Sequence, residues 1–194
     1  FSNYLTLAKN KAVKVYDMDF QRSLYNKAQA AEVIENTPLY RVEAAELSQF
    51  NAIQKKDNKK ENQVSIIDLA GKMDDDELVP VFQKSDLILC PFSYDEYSVS
   101  STIEFSFVIK KINPNAKIIF IPNRVRSSVK YETMKSVQDA LKNFGAVTSS
   151  ITERIDFQRI TTYDIPSNII EVIEPVFESI YNEYIDPAWH KMIT

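Results

Sequence analysis

Short apolar runs alternate with helix-type patterns along most of this chain. Apolar runs of strand length fall at residues 12–18, 64–68, 86–92 and 117–122. Apolar residues at helical spacing lie between and after them, at 20–36, 76–84, 96–112 and 129–144. Strands with few polar positions that alternate with helices are typical of a parallel sheet with both faces covered. The pattern therefore predicts an α/β fold with a doubly wound, mostly parallel sheet and helices on both faces.

Further elements are predicted at weaker patterns. The spacing of Phe1, Tyr4, Leu5 and Ala8 predicts a helix that has already begun at the first residue. Residues 39–42 form a candidate short strand, and 46–61 a polar helix that runs into a cluster of charges. A last helix is predicted over 168–185, with one apolar stripe and glutamates on its other face. This helix is expected to close the domain.

Length and composition predict one ordinary globular domain over residues 1–194. The chain is 44% hydrophobic and 26% charged, which excludes wholesale disorder. No apolar run reaches the length of a membrane span, and the N-terminus lacks the order of a secretory signal. We therefore expect a cytoplasmic protein without a membrane partner.

The scarcity of cysteine and histidine excludes several kinds of site. Cys90 and His190 are the single residues of their types, so an internal disulfide and a cysteine-only zinc or iron–sulfur site are excluded. Catalysis by Ser/His/Asp or Cys/His is disfavoured for the same reason. The net charge of -4 is uneven, because residues 110–159 carry ten Lys/Arg against four Asp/Glu. Such a basic segment is a candidate surface for a polyanion, although a solvated face is the commoner explanation.

Polar residues follow three of the predicted strands. Asp17 and Asp19 end the first, Asp68 and Gly71 follow the second, and Asn123 follows Pro122 at the end of another. Ligands of open parallel sheets bind beyond the carboxyl ends of the strands. Each aspartate taken alone is more simply a helix N-cap. Taken together, the three aspartates favour a hydrated Mg²⁺ beside phosphate oxygens.

Four segments resemble one known family, in that family's order. They are VKVYDMDFQRSL, VSIIDLAG, DLILCPFSYDEYSVSSTIEF and IIFIPNRV, which together span roughly residues 1–125. They resemble the D-x-D-x-Q strand, the Walker B strand, the following strand and helix, and the adenine-contacting strand of the ParA/MinD-type "deviant Walker" ATPases. Among these, the sequence is most similar to ParA proteins of plasmids and conjugative elements.

The resemblance implies a P-loop NTPase-like fold whose first strand and glycine-rich P-loop lie before Phe1. The chain has only 2 glycines, as expected if that piece is missing. P-loop backbone N–H groups cradle the phosphates of the nucleotide. We therefore expect these 194 residues alone to bind ATP poorly, and hydrolysis to belong to a longer parent protein.

The resemblance also implies roles for individual residues. Asp17 would hold Mg²⁺ through water, and Asp68 would complete the magnesium shell. Asp19 would orient the attacking water as the catalytic residue, and Gly71 would approach the γ-phosphate of ATP. Asn123, with Arg124 beside it, would contact the adenine; the alternative for Asn123 is an ordinary turn residue.

Relatives of this kind imply partners as well. They form ATP-dependent homodimers in the bacterial cytoplasm, coat DNA without sequence preference, and are released by a ParB-like activator. Arg126, Lys130 and Arg154 of the basic segment would form the DNA face here.

Two alternatives stay open from the residues themselves. A phospho-accepting receiver domain would use Asp17 and Asp19 for Mg²⁺ and phosphorylate Asp68, although it also requires a late-strand lysine where this chain has Asn123. A non-catalytic interaction module with a P-loop NTPase-like fold would have kept the sheet and lost the chemistry.

Overall fold

The structure is a computed structural model that describes residues 1–56, 63–71 and 75–186. The chain divides into two compact units. The first unit comprises Phe1–Val81 and Asp156–Ile170, and the second comprises Phe82–Ile155 and Glu171–Thr194. The single domain predicted over residues 1–194 remains a prediction.

The first unit contains a three-stranded parallel sheet. Its strands are β1 (Ala12–Asp17), β2 (Arg41–Ala44) and β3 (Gln63–Asp68), in the order β2-β1-β3. In the register of β1 and β3, Asp17 lies opposite Asp68. The two carboxylates therefore end neighbouring strands at the same edge of one sheet.

The second unit contains another parallel sheet. Its strands are β4 (Ile88–Phe92), β5 (Ile118–Pro122) and β6 (Ala146–Val147), in the order β4-β5-β6. Every residue of β5 is buried, as expected for a central strand of a covered parallel sheet. Asn123, which follows β5, therefore leaves the sheet from its buried centre.

Seven helices are described along the chain. They are α1 (Ser2–Leu7), α2 (Ser23–Val33), α3 (Phe50–Lys56), α4 (Leu78–Lys84), α5 (Glu96–Ile112), α6 (Met134–Leu141) and α7 (Ser167–Ile180). A π-helical turn at Tyr181–Ile185 continues α7, and short 3-10 turns lie at Leu47–Gln49 and Ile155–Arg159. None of these helices has both the length and the apolar character needed to cross a membrane.

The predicted fold class is confirmed: parallel sheets flanked by helices form a doubly wound α/β fold. The helix over 96–112 has its predicted ends, and the apolar runs all contain strands. The helix predicted over 129–144 is shorter, at Met134–Leu141, because residues 129–131 are not helical and turns lie at 132–133 and 142–144. Of the helix predicted over 46–61, residues 57–61 lie outside the described residues.

An apolar cluster in the first unit supports the end of β1. It consists of the buried residues Tyr16, Met18, Ala45, Phe50 and Val81. Burying a large apolar side chain stabilises a fold by about 1.5–3 kcal/mol. Because Tyr16 and Met18 flank Asp17, their burial fixes the backbone that carries this carboxylate.

Candidate functional site

Asp17 is fully buried and is bound by backbone N–H groups. Its Oδ2 accepts a hydrogen bond of 2.8 Å from the N–H of Tyr25, in the first turn of α2, and its Oδ1 accepts one of 3.2 Å from the N–H of Asp19. Arg22, the N-cap residue of α2, makes no side-chain capping bond. Asp17 therefore caps α2 from the end of a strand, and its negative charge suits the helix N-terminus.

Asp19 shapes the turn between β1 and α2. Its Oδ1 accepts a 3.0 Å hydrogen bond from the N–H of Gln21, and its carbonyl accepts one of 3.0 Å from the N–H of Arg22. The second carboxylate oxygen of Asp19 has no hydrogen bond with the described residues, and the side chain is half-buried. One oxygen of this carboxylate thus stabilises the turn, and the other can bind water or a ligand.

Asp68 faces the repulsion of both other aspartates. The N–H of Met18 donates to the carbonyl of Asp68 at 2.9 Å, which joins the strand ends directly. Desolvation raises the pKa of Asp68, and the negative charges of Asp17 and Asp19 raise this pKa further. The first unit therefore brings the three predicted carboxylates into one electrostatic neighbourhood.

This arrangement fits a magnesium ion only in partnership with a phosphate. Among the described residues, no three or more His, Cys, Asp or Glu side chains form a set that could hold a metal ion. Mg²⁺ keeps several waters and is usually bound through one or two carboxylates plus substrate phosphates. Mg²⁺ prefers oxygen ligands, and a cation would also relieve the repulsion between neighbouring carboxylates. Asp17 and Asp68, at the ends of adjacent strands, can each supply a carboxylate oxygen to the ion.

Asp68→Asn is expected to stabilise the protein at neutral pH. A folded-state pKa above the unfolded value means that the charged carboxylate costs stability at high pH. Removing the charge should raise the free energy of unfolding at about pH 7 by on the order of 0.5 kcal/mol, because the side chain is partly exposed and screened. The gain should vanish as the pH falls through the Asp68 pKa, where the wild-type side chain becomes neutral.

Urea denaturation at about pH 7 and at about pH 4 measures this difference. Asp76→Asn, which neutralises an exposed aspartate before α4, is the matched control and should leave stability nearly unchanged. A loss of stability in Asp68→Asn at neutral pH would show that the Asp68 charge is favourable, against the repulsion described above.

Gly71 follows β3 in open space. A Cβ built at Gly71 has no atom within 4 Å, and the residue is exposed. No steric condition in the described structure therefore requires glycine here. Its approach to a γ-phosphate stays a prediction.

In the second unit, Asn123 begins a tight turn after β5. Its N–H donates to the carbonyl of Phe92 at 2.7 Å, and its Oδ1 accepts from the N–H of Arg124 at 2.9 Å. Arg124 is exposed and has a φ of 54°, in the left-handed region. Asn123 is therefore a turn residue, while its Nδ2 makes no hydrogen bond with the described residues. A contact of Asn123 or Arg124 with a nucleotide stays a prediction.

The residues predicted to face DNA are all exposed in the second unit. A parallel bridge joins Val125 to Thr152, so the segments that carry Arg126 and Arg154 lie side by side. Lys130 lies four residues after Arg126 and is exposed. We define Arg126, Lys130 and Arg154 as the basic patch.

Sequence reasoning missed the acidic partner within this patch. Glu153 Oε2 accepts a hydrogen bond from Nε of Arg126 at 2.5 Å, across 27 positions of sequence. The backbone N–H of Arg126 donates to the Tyr131 hydroxyl at 3.1 Å. Tyr131 is a local partner, five residues away, but Glu153 comes from a distant segment, so no local motif indicates the Arg126–Glu153 pair.

A cavity of about 860 Å³ also lies in the first unit, between α2 and β2. Tyr25, Glu32 and Arg41 are among its lining residues. None of the three carboxylates lines it. The cavity is therefore separate from the candidate site.

No family model matches this sequence, and no curated protein matches it either. Solved structures do match. A plasmid partition protein from Borrelia burgdorferi B31 bound to AMPPNP is 20% identical, with a TM-score of 0.64, and the match covers 91% of this chain and 88% of that one. MinD in a MinC:MinD cell division complex from Aquifex aeolicus is 14% identical, with a TM-score of 0.66, and the match covers 95% and 89%.

The sequence identity of these matches is low, but each match covers nearly the whole of both chains. The matches therefore show a shared fold. The similarity inferred from four short segments over residues 1–125 thus extends over the chain as a structure. The chain has the fold of the ParA/MinD-type deviant Walker ATPases.

Proposed function

We propose that this chain belongs to a ParA-like ATPase that partitions or positions plasmid, chromosome or conjugative-element DNA. The observation that carries the proposal is the convergence of Asp17, Asp19 and Asp68 at one edge of the β2-β1-β3 sheet. The fold adds support, since one structure that shares it is a plasmid partition protein bound to an ATP analogue.

Each carboxylate has a distinct part in this proposal. Mg²⁺ with ATP would supply charge neutralisation on the phosphate oxygens, which is the main requirement of phosphoryl transfer. Asp68 and Asp17 would hold the hydrated ion, with Asp17 fixed in place by the N–H of Tyr25. The free oxygen of Asp19 would accept a hydrogen bond from the attacking water and orient it.

DNA binding is proposed for the basic patch of an ATP-bound homodimer. Its exposed side chains offer sequence-independent contacts to phosphates, which are strongly salt-dependent. A ParB-like activator would stimulate hydrolysis and release the DNA.

The double variant Lys130→Glu/Arg154→Glu tests the DNA face. In the protein as its gene encodes it, with ATP and Mg²⁺, we expect the affinity for random double-stranded DNA to fall at least about tenfold at moderate salt. The slope of affinity against salt should fall by about two, because two phosphate contacts are lost. Electrophoretic mobility shifts over a salt series measure both.

Lys27→Glu/Lys142→Glu is the matched control, because it makes the same charge change at exposed lysines outside the patch. Both variants should dimerise with ATP as the wild type does, as light scattering can show. Equal DNA affinity in the two variants would remove the basic patch from the proposal.

A further inference from the structure

One guanidinium of the basic patch, that of Arg126, is already held in an ion pair. Among the ion pairs of the described residues, Arg126–Glu153 is the one that involves the patch, with Nε and Oε2 2.5 Å apart. The Arg126 side chain is 64% exposed and that of Glu153 is 40% exposed. The pair therefore lies on the surface that is proposed to meet DNA.

Backbone contacts hold the two side chains together. The N–H of Val125 donates to the carbonyl of Ile151 at 3.1 Å, and the N–H of Glu153 donates to the carbonyl of Val125 at 3.0 Å. The Tyr131 hydroxyl fixes the N–H of Arg126 as well. Glu153 is thus placed beside Arg126 by the fold.

The charge of Arg124 also acts on this carboxylate. The hydrogen bond from Arg126 lowers the pKa of Glu153, and the positive charges of Arg126 and Arg124 lower this pKa further. The Glu153 carboxylate therefore stays ionised at neutral pH. The negative charge of Glu153 partly cancels the positive field of Arg126 in the patch and of Arg124 beside it.

We propose that Glu153 is an internal competitor of DNA phosphate: it binds Arg126 in the free protein and keeps the DNA affinity low enough for rapid release. The inference rests on the proposed DNA-binding function and names its regulation. Carboxylate and phosphate use the same guanidinium donors. An exposed ion pair is weak and screened, so a phosphate can displace Glu153 from Arg126.

Glu153→Gln is the direct test, made in the gene-encoded protein with ATP and Mg²⁺. We expect its affinity for random double-stranded DNA to rise about three- to tenfold at moderate salt, with slower dissociation. The slope of affinity against salt should steepen by about one, because Arg126 then makes a full phosphate contact. Glu132→Gln, an exposed carboxylate in the turn before α6, is the matched control and should change affinity less than about twofold.

Repeating the test in an Arg126→Gln variant distinguishes competition for Arg126 from a general effect of removing a negative charge. In Arg126→Gln protein, the added Glu153→Gln change should no longer raise the affinity beyond the Glu132→Gln control. An equal gain in both backgrounds, or an effect of Glu153→Gln no larger than the control, would overturn the inference and leave the proposed function standing. A wild-type protein that binds no DNA with any nucleotide would overturn both. Thermal melting verifies that each variant is folded.

Discussion

Replacing Gly145 with alanine should destabilise the second unit strongly. A Cβ at Gly145 would lie 2.1 Å from the carbonyl oxygen of Ile118, at the start of the buried strand β5. Backbone must move to relieve such an overlap, and overpacking of this kind costs about 2–3 kcal/mol or more. For a chain of this size the melting temperature should fall by about 5–10 °C, as scanning calorimetry or circular dichroism would measure.

Gly71→Ala is the natural control, because Gly71 is the other glycine of the sequence and has open space around its Cα. Its melting temperature should match that of the wild type. An effect of Gly71→Ala on nucleotide turnover without loss of stability would support the predicted phosphate role. A Gly145→Ala protein as stable as the wild type would contradict the packing of the α6–β6 turn against β5.

Asp17→Ala should cause a loss of stability of comparable size. The substitution leaves the partly buried N–H groups of Asp19 and Tyr25 without their acceptor. An unpaired buried donor costs about 1–3 kcal/mol, and the helix also loses its cap. We expect a decrease of about 3 kcal/mol in the free energy of unfolding, measured by urea denaturation at neutral pH.

Asp19→Ala is the comparison for this variant, because Asp19 makes one side-chain hydrogen bond in an exposed turn. Its loss should be below about 1 kcal/mol. Asp17→Asn, which keeps one acceptor oxygen, should lie between the two. If Asp17→Ala were no less stable than Asp19→Ala, the capping role of Asp17 would be wrong. The contrast matters for function, since activity lost in Asp17→Ala would report folding as well as magnesium.

The regular elements could be predicted because burial leaves a pattern in the sequence: unbroken apolar runs in buried strands and apolar residues at helical spacing in helices. The apolar runs that contain β1, β3, β4 and β5 have few polar positions, which is the pattern expected of strands covered on both faces. The strand β5 is buried along its whole length, whereas β3 has no buried residue. Short or polar elements carried no such signal. The two residues of β6 were not predicted, and β2 is shifted from 39–42 to Arg41–Ala44.

The topology of a parallel sheet predicts that the carboxylates lie close together, but it does not predict their hydrogen bonds. Parallel strands end at one edge, so Asp17 and Asp68 were expected together, and the β1–β3 register places them opposite each other. Which oxygen accepts which N–H depends on the path of the chain through residues 18–25. The Arg126–Glu153 pair depends on a bridge between segments 27 residues apart, which composition and spacing do not encode.

Nucleotide-dependent DNA retention tests the central claim most directly. The gene-encoded protein would be sedimented with random double-stranded DNA in Mg²⁺ buffer with ATP, with ADP or without nucleotide. A ParA-like ATPase should be retained on DNA with ATP and released with ADP. Retention that ignores the nucleotide, or phosphorylation of Asp68 by acetyl phosphate, would contradict the proposal, and the latter would favour a receiver domain.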